Sequence, residues 1–574
     1  MTHTRAVMRG AALRVLVPLL ALVAAACQDV TDLDETAATF ISPDQFYKND
    51  AQASIAVNGA YAPLMGWNGW KQPAQHSIMC DDNEMLCWNW MGGGFSGQAA
   101  GQWYNQDNST WFGDYQMIER ANEVIENVAA STGISETMKK TATGQALFVR
   151  GYAYFDLVRR FGAVPLRLEA YKPDEQMGAK ARDPVENVWR QIAKDLRQAA
   201  GLLPTTYSQP NGAGLPRAAS AWGLLAKVYL HMTGDEVTGT PLASLKSNYL
   251  DSARLAAQQV TQDASVRLEA RYMDLFDVDK QNTSPEILFA VQGARANLSG
   301  SNVPSFLAPR GDCTLVGGCG NTGFLSVRED FYRTFETGDK RVEPNVAIAR
   351  KWEVTSSPLG KIEAIHMDSI NILQSAGLLV SRKEFRWESW SEGCGSFQQH
   401  YDSVTVRTAP GASTTTTKVL AVARPVYSLK YVDRGSAGGS EYAAANNFII
   451  LRYADVLLVL AEAENEKNGP TAVAYDAINQ VRARAGLPAL AGLSQAQFRT
   501  AVWAERSHEL YGEFQGRFDM IREGRWLADM NKGSSIPDYA GHGVCRPRQA
   551  YQKLLPIPSR ELAANPLIQQ NPGW

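Results

Sequence analysis

The 574-residue chain has the composition of a folded globular protein: 45% of its residues are hydrophobic, 20% charged and 9% aromatic. These proportions exclude an intrinsically disordered chain and a protein with many membrane spans. Lys and Arg total 56 against 59 Asp and Glu, and this slightly acidic balance argues against nucleic-acid binding, which needs a basic surface. The chain also contains 14 Trp and 21 Tyr, an aromatic content that suggests a binding surface or a large core.

The N-terminus predicts a bacterial lipoprotein signal. Three arginines precede an apolar stretch, residues 15–26, which is about half as long as a membrane-spanning helix. The stretch ends in small residues followed by Cys27, although Ala24 stands where Leu is usual. We therefore predict a signal peptide over residues 1–26, acylation of Cys27 as a stable membrane anchor, and a short polar tether over residues 27–39. The alternative is ordinary secretion with Cys27 as an incidental thiol.

The remaining cysteines suggest disulfides in an exported chain. They are Cys80, Cys87, Cys313, Cys319, Cys394 and Cys545. The first two are close in sequence, and so are the next two. The competing interpretation is a zinc site, but the spacings are longer than those of zinc knuckles and no His pair follows. We therefore favour disulfides and predict no metal site.

Apolar residues recur with a helical period in neighbouring pairs of segments. The four expected pairs are residues 46–64 with 111–128, 144–161 with 185–203, 217–232 with 249–260, and 453–467 with 472–485. Such pairs bury their apolar faces only by stacking on one another, as tetratricopeptide units do. The predicted fold is therefore mainly α, with helical hairpins as the scaffold. Between residues 267 and 447 the helical period fades, and we expect loops and short strands that pack on the helices.

A Trp-rich insertion between the first two predicted helices carries the functional prediction. Sugars present flat apolar faces with a polar rim, so aromatic rings beside Asn and Asp can stack on a sugar and hydrogen-bond to it. The candidate ligand-binding residues are Trp67, Trp70, Asp82, Asn83, Trp88, Trp90, Trp103 and Tyr104. The alternative is that these rings belong to the core. A second, weaker aromatic group comprises Trp352, Trp387 and Trp390.

Catalytic motifs are incomplete or missing from the sequence. Residues 508–512 (HELYG) begin like the zinc-protease motif H-E-x-x-H but end in Gly where the second His would stand. Residues 92–94 are three glycines without the Lys of a phosphate-binding loop. No acidic pair is marked for glycoside hydrolysis. We predict a protein that is not an enzyme and needs no cofactor.

Several segments resemble the SusD/RagB family of outer-membrane nutrient-binding lipoproteins. The matching segments run in order from Trp111 to the last residue, and they include GQALFVRGY at 144–152, LRYADVLL at 451–458, INQVRARAGL at 478–487 and QNPGW at 570–574. Gln145 and Gly151 depart from the usual Glu and Ala, and Trp574 stands where Tyr is commoner.

The resemblance implies one integrated domain after the tether, made of an N-terminal helical region over residues 40–265 and a C-terminal region over residues 266–574. It also implies that the protein captures oligosaccharide at the cell surface and delivers it to a TonB-dependent, SusC-like β-barrel in the outer membrane. Peptide cargo, as for RagB-like proteins, is the first alternative. A surface glycoside hydrolase is the second.

Charged residues within the resembling segments have a structural interpretation. They are Arg452, Asp455, Glu462, Arg482, Arg484, Glu505, Glu509 and Arg517. Lone buried charges are costly, so we expect these side chains to form partly buried ion networks that hold the hairpins in register. They are not predicted to bind ligand.

Overall fold

The computed structural model describes residues 46–65, 85–87, 108–172, 179–207, 214–294, 325–327, 331, 334–342, 347–349, 363–365, 376–392, 395–422, 426–428, 430–431, 433, 444–532 and 549–574. The chain divides into a short unit, Met1–Lys48, and a second unit, Asn49–Trp574. The elements below belong to the second unit. The predicted signal peptide and Cys27 lie outside the described residues.

The described residues are predominantly helical. Their helices are α1 Asp50–Tyr61, α2 Asn108–Ala130, α3 Glu136–Phe161, α4 Val185–Leu202, α5 Ala218–His231, α6 Lys246–Thr261, α7 Tyr453–Asn468, α8 Ala472–Arg484, α9 Gln495–Leu510, α10 Gly516–Arg522, α11 Trp526–Lys532 and α12 Ser559–Ala564. Helices α1 to α6 pack in chain order, and α7 packs on α6 and carries α8 and α9 on its other sides. All four predicted helical pairs are confirmed, as is the mainly α fold of hairpins with an irregular half.

Helix α3 begins two turns earlier than the apolar pattern predicts. Ser135 caps it by accepting a hydrogen bond from Met138 N–H and also donates to Asp50 of α1, with Oγ and Oδ2 2.7 Å apart. The first two turns are largely polar and exposed, so an apolar stripe does not mark them. Within α3, a Cβ on Gly151 would lie 3.0 Å from the Leu196 side chain of α4. The two helices therefore approach each other closely at this glycine.

The strands of the described residues form three separate sheets. They are β1 Met85–Cys87, β2 Ile287–Val291, β3 Leu325–Val327, β4 Ala347–Ala349, β5 Glu363–Ile365, β6 Leu379–Glu392, β7 Gly395–Arg407, β8 Thr415–Val422, β9 Val426–Ser428 and β10 Phe448–Arg452. The sheet orders are β1-β3-β9-β4, β10-β2 and β5-β8-β7-β6. Strand β10 leads directly into α7, and the buried β10-β2 pair contributes Phe289 and Leu451 to the helical core.

The prediction of only short strands between residues 267 and 447 was wrong for β6 and β7. These strands have 14 and 13 residues and pair along nearly their whole length. Their sequences mix aromatic residues with many charged ones, so no simple apolar alternation marks them. Among the described residues, no helix combines the length and the hydropathy needed to cross a membrane.

Candidate functional site

The eight predicted ligand-binding residues lie outside the described residues, so their placement stays a prediction. The structure does describe β1, which lies inside the Trp-rich insertion. Asp82 and Asn83 precede this strand by a few residues, and Trp88 and Trp90 follow it. The position of β1 therefore shows which other parts of the chain this insertion meets.

Strand β1 pairs with a strand from the later irregular region. Met85 lies opposite Val327 and Cys87 opposite Leu325 in an antiparallel register. Strand β9 joins β3 through Val327 and Val426, and β4 completes the sheet. We call these four strands, β1-β3-β9-β4, the insertion sheet. It unites the Trp-rich insertion with the irregular half of the molecule.

Two members of the second aromatic group lie on a different sheet. Trp387 and Trp390 are in β6, opposite Gln399 and Phe397 of β7, while Trp352 lies outside the described residues. Strand β6 belongs to the order β5-β8-β7-β6, which shares no strand with the insertion sheet. Trp387 and Trp390 are therefore on a strand that does not belong to the insertion sheet.

A buried lysine fastens the end of the insertion sheet to the helical core. Lys430 follows β9 by two residues, and its Nζ donates to Glu513 Oε1 at 3.0 Å and to the carbonyl oxygen of Tyr511. The same Nζ lies 3.9 Å from the centroid of the Tyr511 ring. Burial lowers the pKa of Lys430 to about 8, although Glu513 favours its charged form. No sequence motif marks this residue, so it was not predicted.

The next residue, Tyr431, has an unusual backbone conformation. Its φ is 62°, in the left-handed region that most side chains avoid, and Phe514 has a φ of 57°. Both rings stack on Phe448 of β10, with centroids 6.1 Å and 5.9 Å away. All three rings are buried. A left-handed backbone conformation costs energy and persists only where the surrounding packing holds it. We infer that the stacked rings hold the chain in this conformation where it leaves the insertion sheet.

A buried ion network lies next to this anchor, centred on Glu509 of α9. Its carboxylate pairs with Arg341 Nη1 at 3.1 Å and with Arg452 and Arg484. Arg452 and Arg484 also share Glu286, each 2.9 Å or less from one of its oxygens. Burial raises the pKa of Glu509, but the three guanidinium groups outweigh it and hold this pKa well below its usual range.

A second buried network joins helices that are distant in sequence. Asp455 of α7 pairs with Lys227 of α5 at 2.8 Å and with Arg506 of α9 at 2.9 Å. Arg506 also reaches Asp519 of α10 at 3.0 Å.

The other charged residues of the resembling segments have similar partners. Glu462 pairs with Arg522, Arg482 bridges Glu336 and Glu505, and Arg517 donates to two backbone carbonyls. The prediction of buried ion pairs is confirmed for the other seven of these residues, whereas these hydrogen bonds of Arg517 go to the backbone.

The HELYG segment also has a structural role. Nε2 of His508 lies 2.8 Å from Thr334 Oγ1, and its ring lies 4.3 Å from the Phe335 ring. Glu509 is held by the three arginines described above. Within the part of the chain that the structure describes, no group of three His, Cys, Asp or Glu side chains is placed to hold a metal ion.

Comparison with family models decides the family. Residues 44–230 match a model described as "Starch-binding associating with outer membrane", and residues 319–574 match the SusD family model. The chain belongs to the SusD family. The resemblance seen in the sequence is thereby confirmed.

Relatives of this SusD-family chain match nearly its whole length. The SusD-like protein P2 of Formosa agariphila is 24% identical over 567 residues, 95% of this chain and 96% of the relative. A SusD homolog from Bacteroides thetaiotaomicron has the same fold, with a TM-score of 0.72 and 22% identity over 94% of this chain and all of that one. A "Laminarin binding SusD-like protein" gives a TM-score of 0.64 at 22% identity, over 92% of this chain and all of that one.

Proposed function

We propose that this protein captures an oligosaccharide at the outer surface of the outer membrane and passes it to a SusC-like TonB-dependent transporter. Cys27 would carry the lipid anchor. The Trp-rich insertion would supply the ligand surface, with Trp67, Trp70, Trp88, Trp90, Trp103 and Tyr104 as stacking rings and Asp82 and Asn83 as hydrogen-bonding groups. The protein would bind without catalysis and without a cofactor, since stacking and a few hydrogen bonds suffice for capture.

One observation carries the proposal: the strand between these side chains is part of a sheet rather than a free loop. Asn83 and Trp88 each lie within two residues of β1, which is paired with β3. The insertion sheet continues through β9 to Lys430, which is anchored in the core. Binding groups carried by loops on a rigid frame lose less freedom when a ligand binds.

The family supports the choice of ligand. One matching family model is described as starch-binding, and a protein of the same fold is named as laminarin-binding. Both names refer to glucose polymers, so we expect a neutral glucan to be the first ligand to try. The slightly acidic composition of the chain is compatible with a neutral cargo.

The test is a calorimetric titration of the mature chain with laminarin and starch oligosaccharides. We expect Trp88→Ala and Trp90→Ala to weaken binding at least tenfold, because each removes a stacking ring. Trp88→Phe and Trp90→Phe keep a flat ring and should retain most of the affinity. Tyr171→Ala removes the aromatic ring of a residue that is 43% exposed and lies outside the Trp-rich insertion in the sequence, and it should leave binding unchanged.

Three results would contradict the proposal. The first is binding of peptides but of no glycan. The second is hydrolysis of the glycan by the purified chain that is lost when one pair of carboxylates is changed. The third is unchanged affinity in both alanine variants. Delivery is tested separately: the lipid-anchored chain should co-purify with the β-barrel transporter produced alongside it, and failure to do so would contradict the transport step alone.

A further inference from the structure

A cavity of about 520 Å³ lies where the C-terminal tail packs on the helices, and none of its lining residues belongs to the β1-β3-β9-β4 strands. We call it the tail cavity. Its volume is within the range of small-molecule sites, roughly 300–1,000 Å³. Much of its wall is apolar and is formed by Val158, Val185, Trp189, Ile521, Leu554 and Leu567. Leu567 is 55% exposed, so the cavity opens to solvent beside this residue.

The guanidinium of Arg182 forms one polar part of the wall, and its hydrogen bonds go to neutral oxygens. The acceptors are the carbonyls of Ala163 at 2.6 Å, Phe161 at 2.9 Å and Gln569 at 3.1 Å, and Asn571 Oδ1 at 2.6 Å. Among the described residues, no carboxylate lies within ion-pair distance of Arg182. These hydrogen bonds therefore hold the Arg182 guanidinium in place without neutralising its positive charge.

Arg159 also lines the cavity, and its guanidinium is only partly neutralised. It donates to the carbonyl oxygen of Phe155 at 3.1 Å and lies 3.8 Å and 4.0 Å from the centroids of the Phe155 and Phe518 rings. Arg159 reaches Asp156 at 3.3 Å, but the same carboxylate also binds Arg160 at 2.8 Å. The acidic residue in the wall is Glu236, whose Oε1 lies 2.6 Å from His231 Nδ1. Burial raises the pKa of Glu236 to about 8, so this group is largely uncharged at neutral pH. The wall therefore carries more positive than negative charge.

Two neighbouring groups are consistent with a wall that favours an anion. Asp183 follows Arg182 in the chain, but its carboxylate accepts from Leu166 N–H at 2.8 Å and faces Lys180 at 3.7 Å. Trp189 is buried, and its Nε1–H has no hydrogen-bond acceptor among the residues that the structure describes. Buried N–H groups are seldom left without an acceptor, so this donor is a second feature that points to a ligand.

We propose that the tail cavity binds a small organic carboxylate with an apolar body. Arg182 and Arg159 attract the carboxylate, and the aliphatic and aromatic wall covers the apolar part. The site is independent of the proposed glycan surface and does not rest on it.

The probe is 3-phenylpropionate, and its matched neutral analogue is 3-phenylpropan-1-ol. Titration calorimetry on the mature chain at pH 7 should show the carboxylate binding at least tenfold more tightly than the alcohol. This preference should shrink as salt is added, because ions screen the attraction. Equal affinity for both compounds, or no binding of either, would overturn the proposal.

Variants at the mouth separate charge from shape. Leu567→Glu adds a negative charge at an exposed position, so folding should be unaffected and carboxylate binding should weaken at least tenfold. Leu567→Gln has the same size without the charge and should keep the carboxylate preference. Ala163→Leu fills the cavity and should abolish binding of both compounds, whereas Ala51→Leu on the exposed side of α1 should have no effect. Unchanged carboxylate affinity in Leu567→Glu would place the binding elsewhere and refute the site.

Discussion

Lys430 Nζ lies 3.0 Å from Glu513 Oε1, and both side chains are buried. Replacing Lys430 by Met would leave the buried carbonyl oxygen of Tyr511 without its charged donor, while Glu513 and the carbonyl oxygen of Glu509 would keep Arg452. We expect the free energy of unfolding to fall by about 3 kcal/mol, since unsatisfied buried groups are costly. Urea unfolding at 25 °C measures it. Lys140 is exposed, so Lys140→Met should change stability by less than about 0.5 kcal/mol; equal effects would contradict the anchoring role.

Glu509→Gln tests whether the HELYG segment is structural. The change removes the negative charge that three buried guanidinium groups share. It should lower the free energy of unfolding by about 3–5 kcal/mol. Glu466 offers a control, because it also pairs with an arginine, Arg499, but in a partly exposed position. Glu466→Gln should cost no more than about 1 kcal/mol. Chemical denaturation compares the two, and a Glu509→Gln variant as stable as the control would argue against the network.

Glu236 predicts a specific pH dependence of stability. Burial raises its pKa in the folded chain to about 8, above its ordinary value of 4.5. The folded state then holds more protons than the unfolded state between these values, so stability falls as the pH rises from 4.5 to 8. Glu236→Gln removes this titration. The stability of the unmodified chain relative to Glu236→Gln should therefore decrease steadily across that window.

The matched control for this titration is exposed Glu136, whose side chain is 81% accessible. Glu136→Gln should show a difference from the unmodified chain that is nearly constant across the same pH window. Thermal or urea unfolding at several pH values measures both series. A flat difference for Glu236→Gln would contradict the burial effect.

The proposed acylation of Cys27 can be tested by where the protein is found in the cell. A chain produced in a bacterium with a lipoprotein pathway should incorporate labelled fatty acid and fractionate with the outer membrane. Cys27→Ser should lose the label and the membrane association, because it lacks the thiol to which we propose that the lipid is attached. Cys545→Ser should keep both. Recovery of the unmodified chain without lipid would contradict the anchor.

The helices could be predicted closely because their apolar stripes extend over several turns. The pattern at residues 217–232 corresponds to Ala218–His231, and that at 472–485 to Ala472–Arg484. The start of Glu136–Phe161 was missed because its first turns are polar. Asp455 could be expected to pair with a cation, but its partners could not be named: Arg506 was not among the residues predicted to form ion pairs, and Lys227 lies in a segment with no recognisable charge motif.

The candidate site could be predicted only in part from the sequence. Trp density identified the insertion, but pairing of β1 with β3 depends on contacts between distant segments, which periodicity does not encode. Lys430 occurs in a short run of β-branched and aromatic residues, and nothing in that run shows that its ammonium group is buried. Its role became visible only from its distances to Glu513 and Tyr511.

The pairing of Cys87 with Leu325 also bears on how the molecule assembles. More than two hundred residues separate these partners, so closing that loop is entropically costly and slow compared with hairpin formation. The third strand of the sheet, Val426–Ser428, emerges later still during synthesis. The helices at the N-terminal end can therefore form from partial chains, whereas the insertion sheet can be completed only after Ser428 has been synthesised, which is about three quarters of the polypeptide.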